Sequence, residues 1–142
     1  MQEILNQFFQ SQGDFPNEFN LGVTSSLVFK DIELELGIEL PQDFKNFLMV
    51  TNGFEGFVGE NYCRFNKLEE ILENTKVCCH EWFPWAIHIG SNGSSEMYVL
   101  DNRGEQLAYG ILPNIGDDND FIPLGKSFEE FIKHLYKNDF WE

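Results

Sequence analysis

At 142 residues, 42% hydrophobic and 15% aromatic with fifteen Phe, the chain has the size and the core formers of one ordinary domain, which excludes disorder. Twenty-four Asp and Glu against nine Lys and Arg leave a net charge of −15. Such a surface repels phosphate backbones and anionic lipid, so neither direct nucleic-acid binding nor membrane-surface binding is expected, and a basic partner is favoured.

The start, Met1-Gln2-Glu3-Ile4-Leu5, lacks the basic stretch of a secretory signal. No run of about 18 apolar residues reads as a membrane span. Cys63, Cys78 and Cys79, odd in number and with two adjacent, make a poor disulfide framework and fit a reducing cytoplasm. Ile4, Leu5, Phe8 and Phe9 have helical spacing, with Gly13 and Pro16 as the stop. From Ile32 to Leu40 the apolar residues alternate as in a strand. Val28, Ile32 and Leu36 are also spaced for a helix, with Ser25 or Ser26 as N-cap and Gly37 as the end. The propensities of Glu and Leu decide for a helix over 25–36 and extended chain over 38–40.

Pro41 opens the next helix, whose face is Phe44, Phe47, Leu48 and Thr51 and whose end is Asn52-Gly53. Residues 54–65 read as a hairpin around Gly59. Asn66 and Glu69 have capping-box spacing before Leu68, Ile71 and Leu72, which predicts a helix to about Thr75. Strands follow at Trp85–Ile89, Met97–Leu100 and Gln106–Tyr109, separated by Ser91-Asn92-Gly93 and Asn102-Arg103-Gly104, with Phe121-Ile122 as a further strand. A last helix starts at Ser127, boxed with Glu130, and carries Phe128, Phe131, Ile132 and Leu135. The expected class is α+β: an antiparallel β-meander sheet covered by helices, in a single domain over 1–142, with 1–24 as an N-terminal helix and connecting loop.

Motifs that carry chemistry resolve to plainer roles. Gly125-Lys126-Ser127 ends like a phosphate-binding loop, but the position that needs the first glycine holds Asp120, so Ser127 is read as a helix cap. Asp117, Asp118, Asn119 and Asp120 lack the spacing of a calcium loop and are read as a solvated acidic loop. Cys78, Cys79, His80 and His88 lack zinc-ligand spacing, and Cys79 and His80 are neighbours in sequence only, which does not put a thiolate within reach of a base. No metal, cofactor or catalytic residue is expected. The cluster Trp82, Phe83, Pro84 and Trp85 is core material that can also line a protein-binding patch, where aromatics concentrate.

Leu36-Gly37-Ile38-Glu39-Leu40-Pro41 through Phe44 and Leu48 to Asn52-Gly53 resembles the opening signature of the SUKH superfamily, which includes the Smi/Knr-type domain. Ile89-Gly90-Ser91-Asn92-Gly93 with Tyr98 to Asp101 is similar to its central hairpin, and Ser127-Phe128-Glu129-Glu130-Phe131-Ile132 to its closing helix. The three pieces are in order and span residues 25–137. Phe44 stands where many relatives have Tyr. The resemblance implies an α+β domain without known enzymatic activity. Bacterial members are similar to immunity proteins that neutralise a toxin, often a nuclease, and fungal relatives act as interaction proteins in cell-wall signalling.

The expected function is therefore that of a cytoplasmic immunity protein that binds a cognate polymorphic toxin, basic and nuclease-like, through an acidic surface. The residues expected to meet the partner are Glu55, Glu60, Asp117, Asp118 and Asp120, placed on exposed loops, with Trp82 and Trp85. Two rival readings are a regulatory interaction module of the same fold and a small-ligand domain built on Trp82, Trp85 and the histidines.

Overall fold

Ser25 accepts the Leu27 N–H on its hydroxyl and starts a helix that ends at Gly37, whose φ of 76° is the left-handed stop that glycine takes without strain. In the computed structural model, which describes residues 2–11 and 22–140, this helix is α2 (Ser26–Leu36). It follows α1 (Gln2–Phe8) and β1 (Phe9–Ser11) and precedes α3 (Gln42–Val50), β2 (Phe54–Val58), β3 (Asn61–Phe65) and α4 (Leu68–Cys78). Then come β4 (Ala86–Ser91), β5 (Glu96–Asp101), β6 (Ala108–Pro113), a single 3₁₀ turn at Asp118–Asp120, β7 (Ile122–Gly125) and α5 (Phe128–Lys137). The strands form one sheet in chain order, β1 to β7, every neighbouring pair antiparallel. The class is the expected α+β meander. One edge is the three-residue β1 and the other is β7, which carries Pro123.

Both faces of the central strands are buried, which is why β4, β5 and β6 read as near-continuous apolar runs. On one face Phe44 and Phe47 of α3 and Phe128 and Phe131 of α5 pack against Phe65, Tyr98 and Tyr109, with ring centroids 4.8–6.5 Å apart. On the other, Met97, Val99 and Leu112 meet Cys79, Phe83 and Ala86, with Trp85 and Phe121 at the margin. The turn from α2 to α3 is locked by Glu33. Its carboxylate accepts the Leu40 N–H at 2.6 Å and pairs with Lys45 at 2.9 Å, both side chains only 12–13% exposed.

Three sequence readings are corrected. Phe9 leaves the helix and opens β1, because its backbone pairs with Val58 while its ring enters the aromatic core. Asn66 is not the cap of α4, which begins one residue later than the motif suggests and runs on to Cys78. Its first N–H groups go to the Asn52 side chain, from Leu68 at 2.8 Å, and to the Glu70 carboxylate, from Lys67 at 2.9 Å. The strand expected at Gln106–Tyr109 is β6, Ala108–Pro113, fixed by its ladder with β5. Gly13 and Pro16 lie outside the described residues. Among the described residues no helix is long and apolar enough to cross a membrane.

Candidate functional site

Between α4 and β4 the chain turns twice, with the Phe83 N–H on the Cys79 carbonyl at 2.6 Å and the Ala86 N–H on the Phe83 carbonyl at 2.9 Å. These turns drive Phe83 into the second core, leave Trp82 72% exposed and set Trp85 half-buried at the rim. The acidic loop approaches from the far end of β6. Asp117 caps its own turn by accepting the Asn119 N–H at 2.8 Å, and the Asp120 carboxylate accepts the Asp117 N–H at 2.8 Å. That closed turn brings Phe121 edge-on to Trp85, centroids 5.7 Å apart. It also places Asp118 to accept the Trp85 indole N–H at 2.8 Å.

Arg103 completes the group. Asp101 accepts its Nε–H at 3.0 Å and an Nη2–H at 3.1 Å, a side-on bidentate pair. An Nη1–H reaches the Asp118 carbonyl at 3.2 Å, and the guanidinium carbon lies 3.7 Å from the Trp85 ring centroid. Three chain segments thus meet at one exposed face, supplying an indole, a phenyl edge, ordered carboxylates and a cation held between them. Beside Trp85 a groove of about 530 Å³ runs between α2 and α4, lined by residues that include Leu36, Ile38, Leu72 and His80. Trp82 and His88 are not part of its lining.

The structure therefore joins Trp85 and Asp118, read separately in the sequence, with Asp117 and Asp120 in the same closed turn as Asp118; Trp82 is exposed in the loop before Trp85. Glu55 and Glu60 belong elsewhere, to the β2–β3 hairpin. Glu55 is exposed but sits within β2 rather than on a loop, because its neighbours Phe54 and Val58 fill the core from the opposite sheet face. Its carboxylate accepts the Tyr62 hydroxyl, and that bond, with desolvation behind it, pushes the phenol above its ordinary pKa. Glu60 is exposed in the turn, next to Asn61, whose amide is bonded to the Leu135 carbonyl at the end of α5.

Sequence reasoning missed Arg103, Asp101 and Phe121. The only local signal was Asp101 two residues before Arg103, the spacing at which a carboxylate caps a turn; here it accepts the Arg103 N–H at 2.9 Å. The ring chosen by the guanidinium is a tertiary fact with no local trace.

The other candidates settle into structural roles. Asn66 is buried and its amide donates to the His88 carbonyl at 2.9 Å and to His88 Nδ1 at 2.8 Å. With Nδ1 accepting, the ring proton sits on Nε2. Burial, reinforced by the nearby Arg64 charge, pulls the His88 pKa down to about 4. Burial likewise pushes the Cys63 and Cys79 thiols up to about 12, whereas Cys78 is exposed. Ser127 accepts the Glu130 N–H at 3.1 Å, the cap expected of it. Among the described residues no three His, Cys, Asp or Glu side chains converge as metal ligands.

Residues 24–134 match the family model described as the SMI1 / KNR4 family (SUKH-1). The chain is also 31% identical over 118 residues to the uncharacterized protein YnaB of Bacillus subtilis (strain 168), covering 79% of this chain and 78% of that protein. The matched span contains the whole Trp85–Arg103–Asp118 group and omits α1 and β1.

Proposed function

The chain belongs to the SMI1/KNR4 (SUKH-1) family, and from that premise we propose that it is a non-enzymatic, cytoplasmic immunity protein that binds and neutralises a cognate polymorphic toxin, a basic nuclease. The observation that carries the reading is the 2.8 Å bond from Trp85 to Asp118. It unites the aromatic cluster and the acidic loop in one face of the kind that protein interfaces use: a rigid aromatic anchor within a polar, charged rim. The net charge of −15 supports it. A nuclease must present cations to phosphates, and a carboxylate-rich face both steers towards those cations and competes for them. Trp82, Trp85, Asp117, Asp118 and Asp120 form the contact face in this reading, with Glu55 and Glu60 acting at longer range.

The test begins with the gene beside the one encoding this chain. The toxin domain encoded there is expressed with and without the chain, and survival is scored. Survival only in its presence, lost on replacing Trp82 and Asp118 together by Ala, is the expected result. A chain that neither rescues growth nor binds the toxin overturns the reading, and capture of a host protein without rescue favours the regulatory module instead.

A further inference from the structure

The Arg103 guanidinium occupies a notch whose walls and floor are side chains of other residues. The walls are Trp85, whose indole is fixed by Asp118, and Phe121, set edge-on against that indole; both pack on the second core. The floor is the Asp101 carboxylate at the end of β5, with the Asp118 carbonyl as a second acceptor. The exposed 102–106 turn braces the notch through its backbone alone, with the Asn102 N–H on the Trp85 carbonyl at 3.1 Å and the Arg103 N–H on Asp101 at 2.9 Å, bonds that do not need the Arg103 side chain. The notch offers what a guanidinium needs: a ring face for stacking, two carboxylate oxygens side by side and a carbonyl within reach of the remaining N–H. An ammonium matches the charge but not the fork.

We propose that the Trp85–Phe121–Asp101 notch is an arginine-binding site of the protein-binding face, and that Arg103 is its built-in occupant, displaced when an arginine of a basic partner enters. The proposal rests on the protein-binding reading of this face and names the side chain it takes. It gives Arg103 a gating role. While Arg103 is seated, the competent fraction of the site is small and the apparent affinity is reduced by that fraction. Removing Arg103 then opens a site instead of merely deleting a contact.

The probe is L-argininamide, added to the full chain while the Trp85 indole N–H is followed by NMR. Arg103→Ala is expected to bind it saturably in roughly the millimolar range, at least about tenfold tighter than the wild type, with L-lysinamide at least about tenfold weaker. Adding Asp101→Asn to Arg103→Ala is expected to abolish binding. No saturable binding by a folded Arg103→Ala chain overturns the proposal, as does equal binding by the wild type or equal binding of lysinamide. Arg103→Gln, which vacates the guanidinium position and keeps a polar turn, serves with the same outcomes if Arg103→Ala does not fold. Because the probe is a single amino-acid amide, this result stands apart from the growth assay. A chain that protects against no toxin can still bind argininamide, and an empty notch can accompany full protection.

Discussion

The carboxylate of Asp43 accepts the backbone N–H of Phe128 at 2.7 Å, across 85 residues of sequence. Its other oxygen accepts the Tyr109 hydroxyl at 2.7 Å and the Phe44 N–H at 2.8 Å. One side chain at the start of α3 therefore satisfies its own helix, ties down a buried phenol in the centre of the sheet and caps α5. Ser127 takes a second N–H of the same helix start, so α5 is held by one local cap and one delivered from afar.

Replacing Asp43 by Ala removes a charge-assisted acceptor from the Tyr109 hydroxyl and the Phe128 N–H together. The expected loss is about 3 kcal/mol, against about 0.5–2 kcal/mol for Ser127→Ala, which touches one N–H alone. Asp43→Asn keeps one acceptor and falls between them. Urea unfolding with unchanged slopes measures the three. An Asp43→Ala cost no larger than that of Ser127→Ala refutes the shared role.

His88 makes stability fall with acid. Its ordinary pKa is 6.5 and burial takes the folded value to about 4, so between these pH values the unfolded chain binds a proton that the folded chain refuses. Stability is fully present above about pH 6.5 and is lost as pH falls towards 4, by about 3 kcal/mol in all. His88→Gln is expected to flatten the pH 7 to 5 part of the profile, where carboxylates remain largely ionised. Equal slopes in that range for variant and wild type count against it.

The thiols differ sharply in accessibility. Cys63 and Cys79 are buried with pKa values raised to about 12, and Cys78 is exposed. A disulfide reagent added to native protein at pH 8 is therefore expected to react rapidly with one thiol and with the other two only on unfolding. Two or more rapid equivalents contradict the burial.

Replacing Asp117, Asp118 and Asp120 together by Asn is expected to slow association with a basic partner and to flatten its salt dependence, with the fold intact because Asn also caps turns. Trp85→Phe, which removes the indole N–H that binds Asp118, is expected to speed dissociation instead. Rates at two ionic strengths separate these effects. Unchanged rates and salt slopes for the triple variant place the contact outside this loop.

How far the sequence carried depended on whether the deciding contact was local. α5 was legible because Ser127 and the Phe128, Phe131, Ile132 and Leu135 stripe lie within one helix. β4 and β5 were legible as apolar runs between glycine turns, whereas β6 lies further along than its expected bounds. Phe9 was not, since the strand partner that overrides its helical spacing, Val58, is remote. The start of α4 slipped by one residue because Asn52 supplies the cap while Asn66 is drawn inward by His88. At the candidate site Trp85 and Asp118 were each picked out for chemistry, but the bond between them was not, and Arg103 passed as a turn residue. A guanidinium that stacks on a ring from another segment is specified by the finished fold.

Among the described residues the sheet offers little at either end: β1 is three residues long, and β7 contains Pro123, which has no N–H to lend to a neighbouring strand. Two copies meeting edge to edge find too short a ladder to pair, and fifteen net negative charges on each hold them apart. Sheet-to-sheet polymerisation is therefore disfavoured even where the chain is concentrated.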